Sequence, residues 1–341
     1  MLFQAETLYE EGQAMEWTRQ PVCEVHHSYD IISDGVLDRK DFAFIFSNAD
    51  RVKHIPAYTT STINVYADVV LDSGVLGYLS RLGVSLNVFD KCHRYLGTYR
   101  PASTMGSVSL VMGQCKLRSD EVKHLEVARV FEQEFVDGML TVINRQYKNY
   151  RKDELLKQRD SLQEIQNSMK TAESINQLML LEARARQNYY LVYSLFIRNK
   201  DFDFHGRMKN PPTDSVNAMI SYGNAILYNR ISEEIYRSGL DNRIGLIHSS
   251  DRRYESLNLD FADMFKPVIV DTTVLKLINK RQISITDFDQ DGEVVYLGRN
   301  GKAMMIEEID RKLQEKRDGM SYHAMIRQKI ARFKRMVEKE G

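Results

Sequence analysis

The sequence predicts an α+β protein, with a small N-terminal β-sheet domain followed by a larger all-helical C-terminal domain that carries the chemistry. Between Tyr29 and Arg100 the hydrophobic period is two, and β-branched and aromatic residues cluster. The run Pro101-Ala102-Ser103-Thr104-Met105-Gly106 then reads as a linker, and from about Asp120 apolar residues recur at helical spacing. The expected units are an N-terminal extension over 1–28, a β-strand domain over 29–105 and a helical domain over 106–341.

Residues 1 to about 27 form an amphipathic stretch with no assignable motif. Strands are predicted at Tyr29-Asp30-Ile31-Ile32, Phe42-Ala43-Phe44-Ile45-Phe46, Ile63-Asn64-Val65-Tyr66 and Val84 to Phe89. Asp34-Gly35 is a hairpin turn signal, and Ser73, Leu76, Leu79 and Leu82 mark a short helix that Gly83 stops. Leu125, Ala128, Phe135, Met139 and Val142 give the apolar stripe of a helix running to about Tyr150. Ser174 with Gln177 makes a capping box that opens a helix through Tyr190. Asp287 to Gly292 imitates the first half of a calcium loop, but Gly298 stands where the loop needs a bidentate Glu. Val294 to Leu297 is therefore expected as a hairpin strand, with Arg299-Asn300-Gly301-Lys302 as a turn.

Composition limits the function classes. With 341 residues, 43% hydrophobic, 28% charged and 6 Pro, the chain is neither disordered nor low in complexity. Lys plus Arg equals Asp plus Glu at 47 each, so nucleic acid would have to be held by local patches rather than by bulk charge. Two basic stretches, Arg145 to Arg159 and Arg327 to Lys339, ordinarily mean solvated helix faces. No apolar window is long enough for a membrane span, and the acidic start (Glu6, Glu10, Glu11) is unlike a targeting signal, so a cytoplasmic protein is expected. Cys23, Cys92 and Cys115 are odd in number and widely spaced, which suits reduced structural thiols.

Two constellations could carry chemistry. On the helix that Ser174 opens, Glu182, Arg186, Tyr189 and Tyr193 share a face. A surface ion pair to Arg186 is the ordinary reading of that spacing. Leu178, Leu181 and Ala185 nevertheless surround Glu182 with apolar groups, and a buried carboxylate wants a cation. Further on, Asp260 and Asp263 are neighbours on an apolar helix flanked by Leu257, Leu259, Phe261 and Phe265. Like charges so placed need a metal or a base. His248 ends the apolar run Ile244 to Ile247, fifteen residues before Asp263, within reach of a returning loop. A Glu, His and Asp set without Cys suits magnesium or manganese, which could promote in-line displacement at a phosphodiester. Arg184, Arg186, Arg253 and Lys266 could hold phosphates, and Tyr189 and Tyr190 could stack or hydrogen-bond, although aromatics at this spacing are commonly core.

The order of these segments resembles the CRISPR-associated integrase family called Cas one. The resemblance runs over Tyr29 to Leu37, His54-Ile55-Pro56, Gly74-Val75-Leu76 and Val88-Phe89. It continues through the Glu182 helix, Asn210 to Ala218, Ser221-Tyr222-Gly223 and Ile244 to Asp271, covering about residues 29 to 335. It implies Glu182, His248 and Asp263 as metal ligands, with Asp260 as a supporting catalytic acid. It further implies DNA as substrate, a homodimer joined through the β domains, and a small partner called Cas two. The chain departs from the family pattern at Leu180 and Ala183, where Gly flanks the Leu-Glu pair, and at Lys266, where Arg is frequent. The expected reaction is spacer insertion by 3′-hydroxyl attack at a repeat boundary. The alternatives are a structure-selective nuclease on branched DNA and a DNA-binding scaffold without metal.

Overall fold

The computed structural model describes residues 27–90, 95–102, 106–208, 211–248 and 255–341. The N-terminal amphipathic stretch, Cys23, Cys92 and Arg253 lie outside them. Eight strands fill the first part: β1 (His27–Ile31), β2 (Gly35–Lys40), β3 (Ala43–Ser47), β4 (Val52–Pro56), β5 (Thr60–Val65), β6 (Val69–Val70), β7 (Ser85–Phe89) and β8 (Tyr95–Tyr99). They build two four-stranded sheets, ordered β1-β5-β7-β8 and β4-β3-β2-β6. Alternation along β3 turns Phe44 and Phe46 inward, where they join Leu37, Ile55, Ile63 and Leu79 in one core. The short helix α1 (Ser73–Leu82) starts on Asp72, which accepts a hydrogen bond from the Val75 backbone N–H at 2.8 Å. It stops at Gly83, whose φ of 70° suits a residue without a β-carbon.

Asp34-Gly35 is not a hairpin turn. It carries the chain from one sheet to the other, since β1 pairs parallel to β5 whereas β2 pairs antiparallel to β3. The hairpin turn is Asp41-Phe42, with Asp41 at φ 53° and Phe42 displaced from the expected strand into an exposed position. A dipeptide signal marks a change of direction but not the distant strand that completes each sheet.

The remainder is mostly helical: α2 (Val108–Ser119), α3 (Glu121–Tyr150), α4 (Asp153–Lys170), α5 (Ile175–Leu191), α6 (Ser215–Ser238), α7 (Leu257–Lys266), α8 (Thr272–Asn279), α9 (Arg299–Gln314) and α10 (Tyr322–Glu338). A π-helical turn at Pro267–Asp271 joins α7 to α8. The region is not all-helical as expected, because β9 (Phe288–Asp291) pairs with β10 (Val294–Leu297), and β11 (Lys316–Arg317) with β12 (Met320–Ser321). The first hairpin matches the sequence reading, but Arg299 to Lys302 opens α9 instead of forming a turn. The unforeseen α2 buries Leu110, Gly113, Gln114 and Leu117, a mixed set that writes no apolar stripe into the sequence. Cys115 on α2 is free and exposed rather than a core thiol.

A polar ladder joins the two parts. Asn64 donates to Asp30 at 3.0 Å, Asn87 to Asn64 at 2.8 Å, and Thr98 to Asn87 at 2.6 Å, each across register neighbours of one sheet. Asp30 then meets the Arg230 guanidinium of α6 at 2.7 Å, and Arg230 also grips Asp310 of α9 at 2.9 Å. Glu233 lies 3.6 Å from the same guanidinium and accepts a hydrogen bond from Ser28. Arg230 is thus the buried cation shared by both parts. Replacing Arg230 with Met strands these carboxylates, and the expected cost is about 3–5 kcal/mol in the unfolding free energy. Denaturant titration measures it, and a change below about 1 kcal/mol would mean that the contact is incidental.

Candidate metal centre

Three chain segments meet at the acids. Helix α3 packs against both α5, which carries Glu182, and α7, which carries Asp260 and Asp263. Ser174 caps α5 by accepting from the Gln177 N–H at 3.2 Å. The expected capping box is only half realised, because Gln177 Oε1 accepts from Glu173 N–H rather than closing on Ser174. Leu178 and Ala185 are fully buried and Leu181 nearly so, which leaves the Glu182 carboxylate in an apolar wall.

Asp260 places the third segment. It is 2% exposed, and its carboxylate accepts from the backbone N–H groups of Leu246 at 2.6 Å and His248 at 3.1 Å. It also pairs with His248 Nδ1 at 2.8 Å. That contact puts the Nδ1 proton toward Asp260 and leaves Nε2 free to ligate. Gly245 permits this wrapping, since a β-carbon there would stand 2.6 Å from Ser256 Oγ and 2.9 Å from Asp260 Oδ2. Asp260 therefore acts on the loop and the imidazole and is a positioning residue, not part of the ligand cluster.

Glu182, His248 and Asp263 do come together, with one ligand atom from each lying within 4.8 Å of the others. Arg186 reaches into the group, with Nη2 at 2.6 Å from Glu182 and 2.8 Å from Asp263 while its guanidinium lies over the Phe135 ring. Lys266 bonds the other Asp263 oxygen and sits 4.7 Å from the Tyr228 ring centre. Burial works against the Asp263 charge, but Arg186, Lys266 and His248 outweigh it and hold the carboxyl well below its usual range. Burial likewise opposes a charged His248, yet the Asp260 hydrogen bond and the nearby acids raise its pKa above the ordinary value. Glu132 of α3 was not apparent in the sequence. It is 3% exposed, and burial with the charges of Glu182 and Asp263 drives its carboxyl well above the usual range.

Glu182, Arg186, His248 and Lys266 line an open cleft of about 1130 Å³, together with Tyr190, Arg207, Asn224 and Tyr228, and Asp263 lies behind them in contact with Arg186 and Lys266. Arg207 was also missed, although the residues that hold it lie in segments of the resemblance: Asn217 accepts from it at 2.8 Å and Ser221 at 2.9 Å. Arg184 is exposed and does not line the cleft, because two residues on a helix turn it away from Glu182. Tyr189 is fully buried between Tyr190 and Tyr193, so it is a core residue and cannot stack on a base. Of the two tyrosines, Tyr190 faces the cleft. The donor set of one imidazole and two carboxylates fits a hard or borderline divalent cation. Asp263 Oδ2 also fits, being buried and ion-paired with Arg186 but without a hydrogen bond of good angle.

Two outcomes follow from this charge arrangement. Arg186→Gln removes the cation between Glu182 and Asp263, and the chelator-treated protein should lose about 3 kcal/mol of stability. Manganese should then raise its melting temperature more than that of the wild-type chain, and equal shifts would contradict the assignment. Asp271, at the end of the π-helical turn, is buried, and burial raises its carboxyl from 3.8 to about 7 against the opposing influence of the nearby Tyr189 hydroxyl and the Arg207, Arg186 and Lys266 charges. The folded state binds the proton more tightly than the unfolded state, so this contribution is full below pH 4 and is lost as pH rises through 7. Asp271→Asn should flatten the stability profile between pH 4 and 8 by roughly 4 kcal/mol, measured by denaturant titration across that range.

Known proteins resemble this chain in sequence and fold over most of its length. The family model described as CRISPR associated protein Cas1 matches residues 29–311. A CRISPR-associated endonuclease Cas1 of Thermodesulfovibrio yellowstonii is 31% identical over 91% of this chain and 96% of its own length. One from Clostridium perfringens is 32% identical over 84% and 86%. The structure of a CAS1 protein from Thermotoga maritima superposes with a TM-score of 0.82 at 28% identity, covering 91% of this chain and 97% of that one. A casposase bound to integration product shares the fold with a TM-score of 0.77 at 18% identity, over 93% and 91%. The chain belongs to the Cas1 family of CRISPR-associated proteins.

Proposed function

We propose that this protein is a metal-dependent DNA endonuclease and integrase of CRISPR adaptation. The observation that carries the reading is the convergence of Glu182, His248 and Asp263, the first two of which line an open cleft that also holds Arg186, Arg207 and Lys266. Glu182, His248 Nε2 and Asp263 would hold magnesium or manganese, which when bound supplies Lewis-acid stabilisation of the oxygens at a phosphodiester. Lys266 and Arg207 face the same space and offset charge on the phosphate, while Tyr190 bounds the approach. Asp260 keeps the imidazole in one orientation by holding Nδ1. In the reaction, the 3′-hydroxyl oxygen of a short duplex forms a bond to phosphorus at the repeat boundary. The bond from phosphorus to the repeat's own 3′ oxygen breaks, and the hydroxyl proton balances the new terminal oxygen. Water in place of the hydroxyl gives hydrolysis of branched DNA at the same site.

The same reading takes a homodimer and the Cas2 protein as partners. Solved structures sharing the fold include a complex containing Cas1 and Cas2 and a Cas1–DNA complex. Phe42 and Tyr58, ring centres 5.8 Å apart, are both exposed on the β-sheet part and favour self-association there. A scaffold reading has one observation of its own, that Arg186 already neutralises Glu182 and Asp263. It expects a melting temperature indifferent to manganese. The deciding assay is strand transfer of a labelled duplex into a supercoiled plasmid carrying a CRISPR repeat, with manganese and the Cas2 partner. Glu182→Ala should lower transfer by at least about 100-fold while DNA binding persists. Unchanged transfer would remove Glu182 from the mechanism.

A further inference from the structure

A second concave site lies apart from the cleft, where the end of α3 meets α8 and α9. It encloses about 370 Å³ and shares no lining residue with the cleft. Six cations line it against two carboxylates, Glu308 and Glu315. Glu308 is shared by Lys276 and Arg311, and Glu315 takes Lys312 at 2.9 Å. The side chains of Arg145, Arg198 and Lys280 form no ion pair with any described residue. Six cations against two carboxylates leave the pocket with uncompensated positive charge. Burial lowers the pKa of Lys312 despite Glu315, and the charges of Arg145 and Arg311 push in the same direction.

The pocket also contains Thr273, which is 1% exposed and whose Oγ1 is buried without a hydrogen-bond partner. An orphaned buried hydroxyl is unfavourable unless something comes to accept from it. An oxyanion satisfies the hydroxyl and the excess charge together. Beyond Arg145, the exposed Lys148 and Lys152 continue the cationic surface toward α4, which suits a polymer of anions better than one small ion.

We propose that this pocket is a phosphate-binding site, separate from the metal centre, that receives backbone phosphates of a nucleic-acid strand lying along the end of α3. The inference rests on the DNA-acting reading above only for the source of the phosphate. Arg145 on α3 and Arg198 in the segment after α5 would supply guanidinium donors, and Thr273 would supply the hydroxyl.

The test measures binding of a labelled duplex by fluorescence anisotropy, with the full chain in chelator and potassium chloride varied. Removing one cation from a bound phosphate should reduce the logarithmic salt slope by about 0.9. Arg145→Gln/Arg198→Gln should therefore bind roughly tenfold more weakly, with a slope shallower by about two. An unchanged slope overturns the proposal. In a second arm, pyrophosphate should raise the melting temperature of the wild-type chain. Thr273→Val should abolish most of that rise while melting no lower than wild type in phosphate-free buffer. A pyrophosphate shift that depends on Thr273, in a chain that does not bind duplex, would keep the phosphate site but overturn nucleic acid as its occupant. Failure of strand transfer would count against the integrase reading and leave the salt-slope measurement in force.

Discussion

The need to neutralise carboxylates inside a helical core governs this molecule. Glu182 and Asp263 are both under a tenth exposed, on helices packed against the same third helix, and Arg186 bridges them at 2.6 and 2.8 Å. Without a cation at that point the two charges would repel in a poorly solvated wall, and the packing of α5 and α7 against α3 would be weakened by a few kcal/mol, on the order of 3. Glu132 marks the limit of the arrangement, since the ion pairs go to Glu182 and Asp263, and burial with their charges raises the third carboxyl well above its usual range. The same constraint prepares the cluster for a divalent ion, which would replace one positive group by another in the same space. Folding and ligation therefore draw on one charge balance.

The junction between the sheets and the helices obeys the same rule at a second place. Each of Asp30, Asn64, Asn87 and Thr98 is buried or half-buried in a strand, where a polar side chain is unfavourable alone. Linked into a ladder they satisfy one another, and the charge at its end is met by Arg230. A one-residue slip in any strand would break the ladder and bury unpaired amides, so it fixes register as well as the docking of the two parts.

Much of the fold was legible because its signals are local. The stripe from Leu125 to Val142, the stop at Gly83 and the hairpin after Gly292 each depend on neighbours within a few residues. Asp34-Gly35 failed because its meaning depends on β3 and β5, which the dipeptide does not encode. At the site, Glu182 and Asp263 stood out as acids among apolar residues. Arg207 and Glu132 did not, because an arginine in a loop and a glutamate on a long charged helix are ordinary until the other helices surround them. Tyr189 misled for the opposite reason: it shares the face of Glu182, but two turns further along that face has turned into the core.

Asp260 and Asp263 make the same point within one helix. They are three residues apart, carry the same group and are almost equally buried, yet their surroundings give them different work. Asp260 meets backbone N–H groups and an imidazole nitrogen, all donors, so its lone pairs are consumed in shaping the loop. Asp263 meets the cations of two long side chains, Arg186 and Lys266, and its own Oδ2 has no directional hydrogen-bond partner, which would leave lone pairs to an incoming ion. Donors fixed to the backbone make a carboxylate structural, while cations on long side chains leave it exchangeable. That difference, more than residue type or spacing, separates the positioning acid from the proposed ligand.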